Sequence, residues 1–192
     1  MYSRRNFLVS AVGIPGALAG SSDPRKSAST CAWWPAACGE QAPSLFLDAG
    51  VYSPSRSHLE RATSFLEESG LESTLVLGLH GTALAHAFGA SAWSRWSLHT
   101  VVGSSPDEAQ NAELAFVRWT AGISSSYPGR VTVLACGRTL RRWLARVSAN
   151  APDETVEGAA RSLLAPTVLV PAMVVAAVLA QQQGASYVLS TP

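Results

Sequence analysis

Cys136 is the residue whose type and position point most directly to chemistry in this sequence. It ends the apolar run VTVLAC, and Gly137 and Arg138 follow it. The free amides at the start of a helix and a nearby cation favour the thiolate form of a cysteine, and Arg141 and Arg142 lie a turn further on. The pattern is typical of a site for a reactive thiolate or a small anion. The alternative is a small buried side chain beside the solvated face of a helix.

Two neighbouring apolar runs also end in residues that a ligand site can use. The run STLVLGLH ends at His80 and is followed by Gly81, and the run TVLV is followed by Pro171. Ligands bind outside the carboxyl ends of the strands in a parallel sheet. These run ends therefore predict one ligand-binding cleft. The residues expected in it, beside a catalytic Cys136, are His80, Gly81, Gly137, Arg138 and Pro171.

The elements that would position these residues follow from an alternation along the chain. Short apolar runs are separated by amphipathic stretches with helical spacing. The predicted strands are residues 44–50, 74–80, 131–136, 167–170 and 185–190. This alternation predicts an α/β fold, a three-layer α/β/α sandwich around a mostly parallel sheet of about five strands.

Apolar stripes indicate which side of two predicted helices faces the core. In the helix that ends near Ile123, we expect Leu114, Val117 and Ala121 to face inward. In the stretch RTLRRWLARV, the stripe consists of Leu140, Trp143, Leu144 and Val147.

The first nineteen residues have the organisation of a secretory signal peptide. Arg4 and Arg5 precede a short apolar run, and Ala17 to Ala19 offer a cleavage site with small residues. The paired arginines resemble a twin-arginine signal, so we expect the twin-arginine export machinery as a partner and a periplasmic or otherwise extracytoplasmic location. An uncleaved membrane anchor is the alternative. The predicted organisation is a signal peptide at 1–19, an extended lead-in at 20–43 and one domain at 44–192.

Charge and hydropathy argue against two classes of partner. The chain has 14 lysines and arginines against 13 aspartates and glutamates, which is not the basic surface of a nucleic-acid-binding protein. Residues 162–180 carry no charge and are long enough to be read as a membrane span. Because Pro166 and Pro171 divide this stretch, it is better explained as a buried strand followed by a helix. We therefore expect no stable membrane span after cleavage.

The remaining histidines and cysteines give weaker patterns. His58, His80, His86 and His99 lack the spacing of metal ligands, no glycine-rich loop has the form of a nucleotide cradle, and so no metal or cofactor is expected. In an oxidising compartment, Cys31 and Cys38 form either a disulfide or two independent thiols.

Two further interpretations of the region around His80 compete with the thiol site. Trp93 and Trp96 either line a ligand pocket with His80 or belong to the core. A hydrolase is disfavoured, since the sequence has no G-x-S-x-G motif and no aspartate is expected beside His80.

The segments RVTVLACGRTLRRWL and LVPAMVVAAVLAQQQGASYV resemble the DsrE/DsrF-like family of small sulfur-relay proteins. The segment LVLGLHGTALAHAFGASAWSRW is similar to the histidine–glycine segment of exported members. The resemblance covers residues 45 to 190. It implies a DsrE-like domain in which Cys136 carries a persulfide, and it favours a homo-oligomer. The function expected on this basis is binding or relay of a small sulfur species, or of another small anionic ligand. A non-catalytic binding or structural module of the same fold is the alternative.

Overall fold

The protein, described by a computed structural model over residues 44–70, 72–147 and 155–190, is built on one sheet of five parallel strands. The strands lie in the order β4-β3-β2-β1-β5, and every pairing is parallel. The predicted parallel α/β fold is therefore confirmed. The strands are β1 Leu45–Ala49, β2 Leu75–Leu79, β3 Val131–Cys136, β4 Val168–Val170 and β5 Ser186–Ser190.

Helices connect the strands, and each connection between successive strands contains an α-helix of ten or more residues. Parallel strands require such crossovers because the chain must return to the same end of the sheet. The helices are α1 Ser57–Glu68, a 3₁₀ helix Gly81–Ala87, α2 Ala90–Trp96, α3 Leu98–Val102, α4 Glu108–Ser126, α5 Gly137–Val147, α6 Val156–Ala160 and α7 Met173–Gln182.

The first face of the sheet carries the main hydrophobic core. Side chains alternate between the two faces along each strand, so Leu47, Leu77 and Val133 point into one cluster. That cluster also contains the buried apolar side chains of α1, the 3₁₀ helix, α2, α4 and α5. All four residues of the predicted α5 stripe are buried in it, as the sequence indicates.

The second face of the sheet is covered by α7. Gly78 on β2 makes this packing close, because a methyl group at this position would lie 2.6 Å from Met173 Sδ and 3.0 Å from the Phe46 ring. The side of α7 that faces the sheet is small, with Ala176 and Ala180 buried. Asp48 and Cys136 also belong to this second face, since they alternate with residues of the main core.

The prediction for α4 is wrong. Leu114 and Val117 are 48% and 44% exposed, and Ala121 is also exposed. The buried side of the helix is Ala109, Ala112, Phe116, Thr120 and Ile123. Both sides of α4 carry apolar residues, and the alanines allow a close approach to the 3₁₀ helix and α2. Packing against these helices therefore buries the side that carries the smaller residues and Phe116.

Residues 162–180 do not form one unbroken helix. They contain a turn, the strand β4 and the first part of α7. Among the described residues, no helix combines the length and the apolar character needed to cross a membrane.

Candidate functional site

A cleft of about 460 Å³ lies at the carboxyl edge of the sheet, where β1, β2 and β3 end. Its floor contains Asp48, His80 and Cys136. The paired register of β2 and β3 places Leu79 beside Ala135, so the next residues along, His80 and Cys136, leave neighbouring strands at the same level. The structure thus brings together the two residues that the run ends singled out.

Cys136 lies between the starts of two helices. Helix α5 begins at the next residue, and the backbone N–H of Met173, the first residue of α7, donates a hydrogen bond to Cys136 Sγ at 3.4 Å. The thiol is free and 5% exposed. Because both helices present the positive ends of their dipoles to this region, negative charge on the sulfur is stabilised there.

His80 faces a carboxylate that is itself held in place. Nε2 of His80 lies 2.9 Å from Oδ1 of Asp48, and the hydroxyl of Tyr187 donates to Oδ2 of Asp48 at 2.5 Å. The imidazole and Oδ1 are close enough for an ion pair, but their angles are not those of a hydrogen bond, and neither atom has another hydrogen-bond partner in the described ranges. Asp48 therefore orients His80, with Oδ1 facing the imidazole and Oδ2 accepting from Tyr187.

Tyr187 acts as a neutral donor in this arrangement. Burial and, second, its hydrogen bond to Asp48 raise the pKa of Tyr187 well above its usual range. The register places Tyr187 beside Phe46, two residues before Asp48 and on the same face of the sheet. The phenol can thus reach the carboxylate from the edge strand.

The expectation that no aspartate lies beside His80 is wrong, since Asp48 occupies that position. A signal for it exists in the sequence, because Asp48 is a charged residue inside the apolar run LFLDA and shares the buried strand pattern of its neighbours. Charged side chains are seldom buried without a partner. Tyr187 carries no such signal, because its role depends on β5 pairing with β1.

Three other predicted site residues shape the backbone and do not line the cleft. The carbonyl oxygen of Pro171 accepts a hydrogen bond from the Arg138 N–H at 3.1 Å, which ties the end of β4 to the start of α5. A methyl group at Gly137 would lie 2.9 Å from the Val170 carbonyl oxygen. The N–H of Gly81 donates to Thr139 Oγ1 at 3.3 Å.

Replacing Gly81 with alanine is expected to destabilise the fold and displace His80. Gly81 has a φ of +51°, and a methyl group there would lie 2.2 Å from the carbonyl oxygen of Gly50. Gly103 is the matched control, since its φ is +71° but a methyl group would have no neighbour within 4 Å. Gly103→Ala should cost about 1–2 kcal/mol from backbone strain alone. In urea unfolding, Gly81→Ala should cost clearly more, and equal losses would contradict the steric argument.

The two walls of the cleft differ in chemistry. Arg138 and Arg142 on α5 form one wall, whereas Arg141 points elsewhere and is not part of the lining. Val174 and Val178 on α7 form the opposite wall and are 63% and 47% exposed. The cleft is therefore basic on one side and apolar on the other.

The other candidates from the sequence lie away from this cleft or outside the described residues. Trp93 and Trp96 are buried in the main core. His58 and His86 contact each other in that core, with ring centroids 4.5 Å apart. Where the chain is described, no group of three or more His, Cys, Asp or Glu residues is placed to hold a metal ion. The predicted signal peptide and lead-in, with Cys31 and Cys38, lie outside the described residues.

Comparisons of the sequence with known proteins gave no match, so the functional argument rests on the geometry of the site. No protein-family model matches the chain, and no match was found among curated proteins.

Proposed function

We propose that the protein is an exported, DsrE-like protein that binds or relays a small sulfur species through Cys136. The observation that carries this proposal is the position of the Cys136 sulfur. It lies in a cleft, at the starts of α5 and α7, and accepts the Met173 N–H. A persulfide anion placed on this sulfur would gain from the same two helix ends.

The remaining polar groups of the cleft have roles that fit this chemistry. His80, oriented by Asp48, is available to exchange a proton with the sulfur species as the thiol is attacked or regenerated. Arg138 and Arg142 attract an anionic donor to the cleft and hold its charge. None of these roles requires a bound metal or cofactor.

A non-catalytic binding module is the second candidate, and one observation favours it. Cys136 is 5% exposed, and its sulfur is already engaged by a backbone donor. In this alternative the thiol is part of the floor, and a small anionic ligand binds to the arginines without forming a bond to sulfur.

Replacing Cys136 with serine is expected to abolish sulfur uptake while leaving the fold intact. Serine keeps a small side chain that can accept the Met173 N–H, but it provides no thiolate. The reduced mature protein would be exposed to inorganic polysulfide, and its intact mass measured without reductant. The parent protein should gain the mass of sulfur atoms, and Cys136→Ser in a background that also carries Cys31→Ser and Cys38→Ser should gain none.

The other two cysteines supply the control. A variant carrying Cys31→Ser and Cys38→Ser should retain the sulfur adduct. Uptake that survives when all three cysteines are replaced by serine, or that is lost in the control, would rule out Cys136 as the carrier. Ligand binding without any adduct in the parent protein would support the binding module instead.

Export by the twin-arginine route and assembly into a homo-oligomer are also part of the proposal. Arg4, Arg5 and the Ala-x-Ala site support export. Exposed apolar residues support self-association, because Val175 on α7 and Val188 and Leu189 on the edge strand β5 present apolar surface to solvent. A second copy of the chain would remove this surface from water.

A further inference from the structure

The cleft is larger than an inorganic sulfur species needs. Its volume is about 460 Å³, which is within the range of roughly 300–1,000 Å³ that is typical of sites for organic ligands. A water molecule takes up about 30 Å³ in the liquid, so sulfide or thiosulfate would leave most of the space unfilled. The size of the cleft favours a donor with an organic body.

The basic wall selects an anionic group on that donor. Arg138 and Arg142 are exposed on the same side of α5, four residues apart and so one turn from each other. Neither has an ion-pair partner among the described residues. Guanidinium groups bind carboxylates through paired hydrogen bonds, so this wall offers a place for a carboxylate.

The opposite wall selects hydrocarbon. Val174 and Val178 also lie one turn apart, on α7, and both leave much of their side chains in water. Since they face the cleft and not the core, their exposure is not explained by packing within the described fold. Methylene groups of a ligand placed between the walls would cover them.

The floor favours the arginine wall as the place for that carboxylate. Asp48 is buried, its Oδ1 lies 2.9 Å from His80 Nε2, and its Oδ2 accepts a hydrogen bond from the Tyr187 hydroxyl. Because the floor holds an acidic side chain and the wall holds two arginines, the carboxylate of a donor is expected at the wall.

Building on the proposed function, we infer that the cleft takes its sulfur from an organic persulfide that carries a carboxylate and a hydrocarbon chain. The carboxylate binds Arg138 and Arg142, the chain lies against Val174 and Val178, and the terminal sulfur reaches Cys136. In this step the Cys136 thiolate attacks the terminal sulfur of R–S–SH. The new bond joins Sγ to that sulfur, the S–S bond of the donor breaks, and RS⁻ leaves with its electron pair. The proton stays on the transferred sulfur, so no separate oxidant or reductant is needed.

Four sulfur donors can be used to measure the contribution of each wall to the rate of sulfur transfer. The persulfide of mercaptohexanoic acid has both the carboxylate and the chain, that of mercaptohexanol lacks the carboxylate, and that of mercaptoacetic acid lacks most of the chain. Inorganic polysulfide lacks both. Rates of sulfur transfer to Cys136, followed by intact mass, should be highest for the mercaptohexanoic acid persulfide and lower for each of the other three.

Substitutions in the arginine wall should remove the preference for a carboxylate and keep that for a hydrocarbon chain, and substitutions in the valine wall should do the reverse. Arg138→Gln with Arg142→Gln should lower the rate with the mercaptohexanoic acid persulfide about fivefold more than the rate with the mercaptohexanol persulfide. Val174→Ser with Val178→Ser should lower the rates of both long donors about fourfold, and leave that of the short acid unchanged. The matched controls are Arg141→Gln and Val175→Ser, which are exposed on the same helices but do not line the cleft.

The outcomes distinguish this inference from the proposed function. If no donor gives an adduct at Cys136, the proposed function fails. If inorganic polysulfide transfers sulfur as fast as the mercaptohexanoic acid persulfide, sulfur relay stands but the inferred donor class is wrong. Equal effects of wall and control variants would likewise overturn the inferred contacts.

Discussion

Lowering the pH from 7 to 5 is expected to reduce the free energy of unfolding by about 3 kcal/mol through two buried histidines. His58 on α1 and His86 in the 3₁₀ helix are both buried, and Tyr52 stacks on His86 with ring centroids 4.3 Å apart. Burial, followed by repulsion from Arg61 and Arg56, lowers the pKa of His58 to about 4. Burial, followed by His58 and Arg56, lowers the pKa of His86 to about 2.

The direction of the effect follows from which state binds protons first. In the unfolded chain both imidazoles take up protons below a pH of about 6.5, whereas the folded protein keeps them neutral down to about 4 for His58 and about 2 for His86. Stability is therefore complete above pH 6.5 and falls as the pH drops below it. The neighbouring carboxylate cannot compensate, because Glu108 already accepts hydrogen bonds from Tyr52 and Arg56.

Replacing His86 with phenylalanine tests this expectation. Phenylalanine keeps a ring against Tyr52 but binds no proton, and it removes two buried nitrogen atoms that have no hydrogen-bond partner among the described residues. Urea unfolding at pH 7 and pH 5 should show that the variant loses about half as much stability on acidification as the parent protein. His99→Gln, at a partly exposed position on α3, is the control. An unchanged loss in His86→Phe would show that other groups cause the acid sensitivity.

Truncating either buried tryptophan should cost about 3–5 kcal/mol, the second large effect expected. Trp93 and Trp96 lie on α2 and are almost entirely removed from solvent. The Trp93 indole N–H donates to the Ala85 carbonyl oxygen at 3.0 Å, and Trp96 packs edge-on against Phe88 with centroids 5.0 Å apart. Alanine at either position would leave a large cavity in the main core. Thermal or urea unfolding measures the loss.

Phenylalanine at the same two positions separates packing from hydrogen bonding. Trp93→Phe loses its hydrogen bond, whereas Trp96→Phe removes an indole N–H that has no partner among the described residues. We therefore expect Trp93→Phe to be the more destabilising by about 1 kcal/mol. Neither variant should change the rate of sulfur uptake at Cys136. A selective loss of uptake would support the alternative in which these rings line the ligand site.

The strands were predictable from the sequence because each is a short apolar run that ends in glycine, proline or a polar residue. His80 and Cys136 could be paired on the same grounds, since the carboxyl ends of parallel strands lie at one edge of the sheet. The contact between Met173 and Cys136 could not be predicted from the sequence, because it depends on how closely α7 approaches the sheet. That distance is set by Gly78, which is remote from both residues in sequence.

Two other features depended on information that one-dimensional patterns do not hold. The prediction of the buried side of α4 was wrong because Leu114 and Phe116 lie on different sides of the helix, and both sides are apolar. Contacts with the neighbouring helices determine which side is buried. Tyr187 was missed because its contact with Asp48 depends on β5 lying next to β1, although the two residues are 139 positions apart in sequence. Side-chain partners brought together by strand order require the three-dimensional fold.

The two sides of α7 have different roles, and this difference affects how the ligand specificity of such a protein can change. Ala176 and Ala180 hold the helix against the sheet, while Val174 and Val178, on its outer side, carry little of the core. Substitutions at the outer positions therefore carry a small folding penalty. Successive mutations there can change which molecules enter the cleft while the thiol and its two helix ends stay in place. Ligand selectivity can therefore change by substitutions at these positions while each variant remains folded. This helix is the first place to substitute when the selectivity of the cleft is to be changed.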